Sequence, residues 1–183
     1  AWRMRRADAC FVVTLSSKRS GSYNSAVAAR GMVLEEFPEK KIFVVDSKSA
    51  SAGELRIVLR LHALIQKGFS FEEISREISV FVGGMRTFFV LEDLSTLVKN
   101  GRIHKMKGVI ASALMFRPIM GENGEGETIQ AENVRGTAEA FARLVDIISQ
   151  RAETYAETRL GRTLSEVSNR EGALTPETDG GGD

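Results

Sequence analysis

The sequence predicts an α/β fold: a parallel sheet with flanking helices, followed by a smaller α+β domain that contains a hairpin. Three observations predict it. Two short apolar runs, "ACFVVT" at 9–14 and "IFVV" at 42–45, carry no polar alternation, as expected of strands covered on both faces. Helical patterns follow each of them, giving the strand–helix–strand–helix order of a parallel sheet. After Gly83-Gly84 the character changes, and "FRPIMGENGEGETIQAENV" reads as two strands around a Gly/Asn/Glu turn.

The elements follow in order. The strand at 9–14 is rich in β-branched residues. A helix from about Asn24 to Glu36 has Ala26, Val27, Met32, Val33 and Phe37 near helical spacing, and Pro38 ends it. After the second strand, "DSKSASAGE" leads into a helix that runs to Gln66 and closes at Gly68. With Leu55, Ile57, Val58, Leu59, Leu61, Leu64 and Ile65 it is apolar almost all round, which predicts burial on several sides. "SFEEISREISVFVGG" opens with Ser70 and Glu73 in a capping-box spacing, and Ile74, Ile78, Phe81 and Val82 form its inner stripe. "TFFVLED" is a strand, and "LSTLVKNG" and "KGVIASALM" are helices. In "GTAEAFARLVDIISQRAE" the residues Ala138, Phe141, Leu144, Val145 and Ile148 share one face. The expected division is 1–84 as an α/β domain with Ser-rich loops and 85–160 as an α+β domain. The polar, Gly-rich 161–183 is expected to be a disordered tail.

Composition narrows the function. The chain has 183 residues, 43% hydrophobic and 27% charged, with a formal net charge of +1. That balance gives no electrostatic reason to expect nucleic acid. The single cysteine, Cys10, excludes a disulfide within the chain and reads as a small buried apolar residue. No apolar stretch reaches the length of a membrane span and no signal-peptide pattern is visible, so the expected location is cytoplasmic. His62 reads as structural within an apolar helix and His104 as solvated, so no metal site is expected.

The chemistry concentrates where strands hand over to helices, the usual ligand position in a parallel sheet. Ser16, Ser17, Ser20, Gly21 and Ser22 follow the first strand; Ser47, Ser49, Ser51 and Gly53 follow the second. Free N–H groups at a helix start suit a carboxylate or phosphate, Ser20 offers a hydroxyl, and Gly21 permits close backbone approach. Serines also cap helices, so an anion cradle and plain capping both stand at this level. Arg102 and Arg117 are isolated cations beside apolar segments, read as surface charges or as guanidinium clamps at a cleft edge. No P-loop, G-x-S-x-G or G-x-G-x-x-G pattern is present, and no nucleophile has an activating neighbour, so no catalytic residue is assigned.

Five blocks in order, "LSSKRSGSYNSA", "VVDSKSASAGE", "TFFVLEDLSTLVKNGRI", "ASALMFRPIM" and "ENVRGTAEA", resemble the DegV-type fatty-acid-binding proteins from about residue 9 to 150. The resemblance implies two α/β-type domains that hold a long-chain fatty acid, with its tail in an apolar tunnel and its carboxylate against hydroxyls. It also implies a non-catalytic role without cofactor: presenting the carboxylate to a separate ATP-binding fatty acid kinase subunit, which makes an acyl phosphate for phospholipid synthesis. Ser20 and Gly21 match the carboxylate-contacting block, and Arg102 matches the arginine of the G-R-I block, at the headgroup edge or at the kinase-docking surface. Arg117 stands where the family often has lysine. The implied partners are a fatty acid and the kinase subunit, with peripheral membrane contact open and no nucleic acid.

The resemblance further implies a piece of a longer chain. An amino-terminal strand–helix–strand portion with a Thr/Ser loop, and a late His-Gly-Pro-Gly segment, have no counterpart here. "RTLSEVSNREGAL" lacks the apolar run a strand needs. A headgroup site with one wall, and an incomplete tunnel, would forfeit much of the ~10 kcal/mol that a C16 chain gains on burial. The alternative from a different class is an enzyme acting on a phosphorylated or acidic small molecule, with Ser20 and Arg102 gripping the anion.

Overall fold

The computed structural model describes residues 7–91, 99 and 116–172, with side chains of the last helix described to residue 154. The order is β1 (Ala9–Thr14), α1 (Ser22–Glu36), β2 (Lys41–Asp46), α2 (Ala52–Gln66), α3 (Phe71–Gly84), β3 (Phe88–Val90), β4 (Phe116–Glu122), β5 (Thr128–Arg135) and α4 (Thr137–Gly172). The helices expected in "LSTLVKNG" and "KGVIASALM" lie outside the described residues, as do Arg102 and His104. Two compact units form, Ala1–Ala140 and Phe141–Asp183.

β1 and β2 pair in parallel, from Ala9 opposite Lys41 to Thr14 opposite Asp46. Successive side chains of a strand point to opposite faces, so unbroken apolar runs supply two faces at once. Phe11, Val13, Phe43 and Val45 meet Ile57, Leu61 and Leu64 of α2 and Ile74, Ile78 and Val82 of α3. Cys10, Val12, Ile42 and Val44 meet Tyr23, Ala26, Val33 and Leu34 of α1. The ring of Phe11 stacks on Phe71 at a centroid distance of 4.9 Å, tying β1 to the start of α3. β3, β4 and β5 form a separate antiparallel sheet in that order, with the expected β4–β5 hairpin and a register shift between Ile119 and Met120.

Helix ends follow local chemistry. Ser70 caps α3: its Oγ accepts from the Glu73 N–H at 3.3 Å, and Glu73 Oε2 accepts from the Ser70 N–H at 2.8 Å. Gly68 closes α2 with φ +76°, a left-handed conformation that suits glycine.

Five expectations are corrected. α2 is not buried on several sides: Gly53, Ile57, Leu61 and Leu64 are buried, while Leu55, Val58, Leu59 and Ile65 are exposed. Among the described residues, one flank of α2 has neighbours, and residue type alone does not reveal that. His62 lies on the exposed side and is not a core histidine. Cys10 is half-buried rather than buried, because α1, which covers its face of the sheet, buries none of its own residues completely. In α4 the buried residues are Ala140 and Ile147, with Phe141, Val145 and Ile148 exposed, so the helix is turned by one residue from its expected face. α4 also continues to Gly172, into the segment expected to be a disordered tail. Among the described residues no helix is long and apolar enough to cross a membrane, and no group of three or more His, Cys, Asp or Glu gathers to hold a metal.

Ile78 is fully buried between α2 and the sheet, whereas Leu59 is 59% exposed. Ile78→Ala is expected to lower the unfolding free energy by about 2–5 kcal/mol, and Leu59→Ala by about 0.5 or less, in urea titrations of both variants. The hydrogen bonds from Ser70 hold the Glu73 carboxyl below its usual range. A depressed carboxyl pKa contributes stability above the unfolded pKa and loses it as pH falls through the folded one. Thermal melts between neutral pH and about pH 3 should therefore show a shallower acid loss in Ser70→Ala than in the parent chain.

Candidate functional site

The two Ser-rich loops meet at the carboxyl ends of β1 and β2. Asp46, the last residue of β2, organises both: its Oδ1 accepts the N–H of Ser17 and the N–H of Lys48, each at 3.0 Å. The Ser16 N–H donates to the Ser49 carbonyl at 2.9 Å and joins the loops directly.

Most of the serines are scaffold. Ser16, Ser47 and Ser49 are almost wholly buried. Ser47 Oγ donates to the Ser49 carbonyl and accepts the Ser49 N–H, both at 3.1 Å. Ser49 Oγ shares a hydrogen bond with Thr87 Oγ1 at 2.7 Å. A Cβ on Gly53 would lie 2.0 Å from Ser49 Oγ, so only glycine fits there. Ser16 Oγ donates at 2.8 Å to the carbonyl of Gly126, in the β4–β5 turn, and accepts the Lys18 N–H at 3.2 Å.

That turn is seated on the loops by further contacts. Arg19 Nε donates to the same Gly126 carbonyl at 3.0 Å. Lys48 Nζ donates to the Gly124 carbonyl at 3.0 Å and pairs with Glu125 at 3.3 Å. Gly126 has φ +86°, and a Cβ there would lie 2.4 Å from Ser16 Oγ and 2.9 Å from the Lys48 backbone. The turn comes this close because residue 126 has no side chain.

Ser20 differs from the buried serines. It is half-buried, its N–H donates to the Ser16 carbonyl at 3.1 Å, and its Oγ accepts the Ser22 N–H at 3.2 Å. The oxygen thus satisfies one free donor of the first turn of α1, as plain capping would, and the hydroxyl proton remains to be donated. Gly21 is the N-cap of α1 with an ordinary φ of −73°, so no strain selects glycine. A Cβ there would meet nothing within 4 Å; the space beside it is open. Ser22 Oγ is buried without a hydrogen-bond partner.

Of the other expected site residues, Arg102 lies outside the described residues. Arg117 is opposite Val134, near the start of β4. Five residues of strand, about 16 Å, separate it from Glu122 beside the docked turn. The residues that sequence reading missed are Lys48, Arg19, Glu122 and Gly126. Arg19 stood inside the quoted serine block, but its partner is 107 residues away. For Gly126 the one available signal was a second glycine in a turn that already had Gly124.

A family model described as an uncharacterised protein, DegV family, matches residues 4–173. A DegV domain-containing protein of Streptococcus pyogenes serotype M1 is 36% identical over 146 residues, which are 80% of this chain and 52% of that protein. The chain therefore spans about half the length of that curated relative. A crystal structure of a DegV family protein from Ruminococcus gnavus, refined with vaccenic acid, is 40% identical with a TM-score of 0.75, covering 79% of this chain and 51% of that one. The Streptococcus pneumoniae fatty acid kinase (Fak) B3 protein loaded with linoleic acid is 29% identical with a TM-score of 0.73, covering 88% and 63%.

Gly126→Ala is expected to cost about 2–5 kcal/mol, the sum of a left-handed backbone and a Cβ pressed against backbone. Gly21→Ala, with open space and ordinary φ, should fold as the parent does. Chemical denaturation of the two variants checks the contrast.

Proposed function

Since the chain belongs to the DegV family, we propose that it binds a long-chain fatty acid and presents the carboxylate to a separate ATP-dependent kinase subunit. Residues 1–84 carry the headgroup loops and 85–160 cover the acyl chain. The observation that carries the reading is the Ser20–Gly21 corner: a hydroxyl proton still to be donated, at the carboxyl end of a parallel strand, with open space beside the next residue. Ser16, Ser47 and Ser49 are committed to internal bonds and Ser22 Oγ is buried, so Ser20 is the hydroxyl of choice for a headgroup.

The chemistry suits an acid with a greasy tail. A hydroxyl and first-turn N–H groups stabilise a carboxylate without transforming it. The activating step belongs to the kinase subunit, which supplies ATP, and this chain contributes positioning. The fatty acids bound by solved relatives support this reading for vaccenic and linoleic acids, chains of the same class.

Purification of the 183-residue chain, solvent extraction and mass spectrometry test the proposal. A co-purified C16–C18 fatty acid is expected, and Ser20→Ala should weaken its binding by about 10-fold or more, as for a lost hydrogen bond to a charged group. A folded chain that neither carries nor takes up any fatty acid would sink the reading.

A further inference from the structure

We infer that Arg19 is a second headgroup-binding residue, next to Ser20 in the chain and held in place by the β4–β5 turn through the Gly126 carbonyl; this rests on the fatty-acid reading above. The guanidinium is half-withdrawn from water, and its Nε is anchored to the Gly126 carbonyl at 3.0 Å. Its Nη2 is buried and has no hydrogen-bond partner. A buried N–H₂ of a cation is rarely left without an acceptor in a native protein. The anchored Nε fixes the fork, so Nη2 is a donor already oriented before any ligand arrives.

Glu122 sets the charge around this guanidinium. Its side chain is only 2% exposed. One carboxylate oxygen accepts the Gly124 N–H. The other, Oε1, is buried without a hydrogen bond; Arg86 Nε stands 3.8 Å away, beyond hydrogen-bonding reach. Burial lowers the Arg19 pKa and the charge of Glu122 raises it, so the two groups feel each other. Glu122 offsets part of the cost of withdrawing the guanidinium charge from water and competes with any other anion for it. Arg19, Ser20 and Gly21 are consecutive: a cation with an unused donor, a hydroxyl with a proton to give, and open space. That sequence of groups fits a carboxylate, which a guanidinium edge and a hydroxyl together recognise.

The test compares palmitic acid with hexadecanol, which has the same tail and no carboxylate, on the full 183-residue chain. Arg19→Met is expected to weaken the acid by about 10- to 100-fold and the alcohol by less than about 2-fold. Glu122→Gln keeps an acceptor for Gly124 and removes the competing charge, so it should tighten the acid by about 3- to 10-fold. Equal losses of acid and alcohol in Arg19→Met would assign Arg19 to holding the turn alone and overturn the inference while leaving fatty-acid binding intact. Weaker acid binding in Glu122→Gln overturns it as well. Should Arg19→Met lack a cooperative melt, Arg19→Lys and Glu122→Gln decide by the same acid-to-alcohol ratio. Failure of the parent chain to bind either ligand would instead sink the fatty-acid reading and this inference with it.

Discussion

One carbonyl, that of Gly126, ties the two sheets of the first unit together. It accepts from Ser16 Oγ and from Arg19 Nε, donors that belong to the loop after β1. The neutral bond contributes about 1 kcal/mol net, and the charge-assisted one about 1.5–3. The larger energy lies in what would be left unpaired if the turn lifted: a buried hydroxyl and a half-buried guanidinium. The constraint works only because residue 126 lacks a Cβ and adopts a left-handed φ. Lys48 adds a second tether on the other loop, through the Gly124 carbonyl.

This tether sorts the serines. Those that face the turn or the neighbouring loop, Ser16, Ser47 and Ser49, lose their hydroxyls to internal bonds and become almost wholly buried. Ser20, one helical turn further on, escapes that fate. A motif with several serines thus divides into a rigid platform and hydroxyls that the platform does not use. The division matters for chemistry, since a donor held by a rigid platform loses less freedom when a ligand arrives.

The same tether controls charge. Seating the turn brings Glu122, at the end of β4, within electrostatic reach of Arg19, while Arg86 faces the same carboxylate. Buried charges of opposite sign then balance imperfectly, with one guanidinium nitrogen and one carboxylate oxygen lacking hydrogen bonds. Such an incomplete network is costly in a protein that has no use for it, and it is what a site for a polar group looks like before the group is bound.

The amino-acid order by itself determined the strand–helix alternation, the two-faced character of β1 and β2, the hairpin, the capping box at Ser70 and the glycine stop at Gly68. Each depends on residues within a few positions of one another, where periodicity and turn chemistry act directly. The place of Ser20 and Gly21 just ahead of α1 was legible for the same reason, as a short motif at a strand end. Tertiary structure alone decided which serines are scaffold, which face of α2 and of α4 is buried, and that Arg19 meets the turn around Gly126. Those outcomes depend on neighbours from other elements, from the packing of α2 on β1 and α3 to the 110-residue span from Ser16 to Gly126. Side-chain type shows that a group can donate or be buried; only the packed chain supplies the acceptor or the cover.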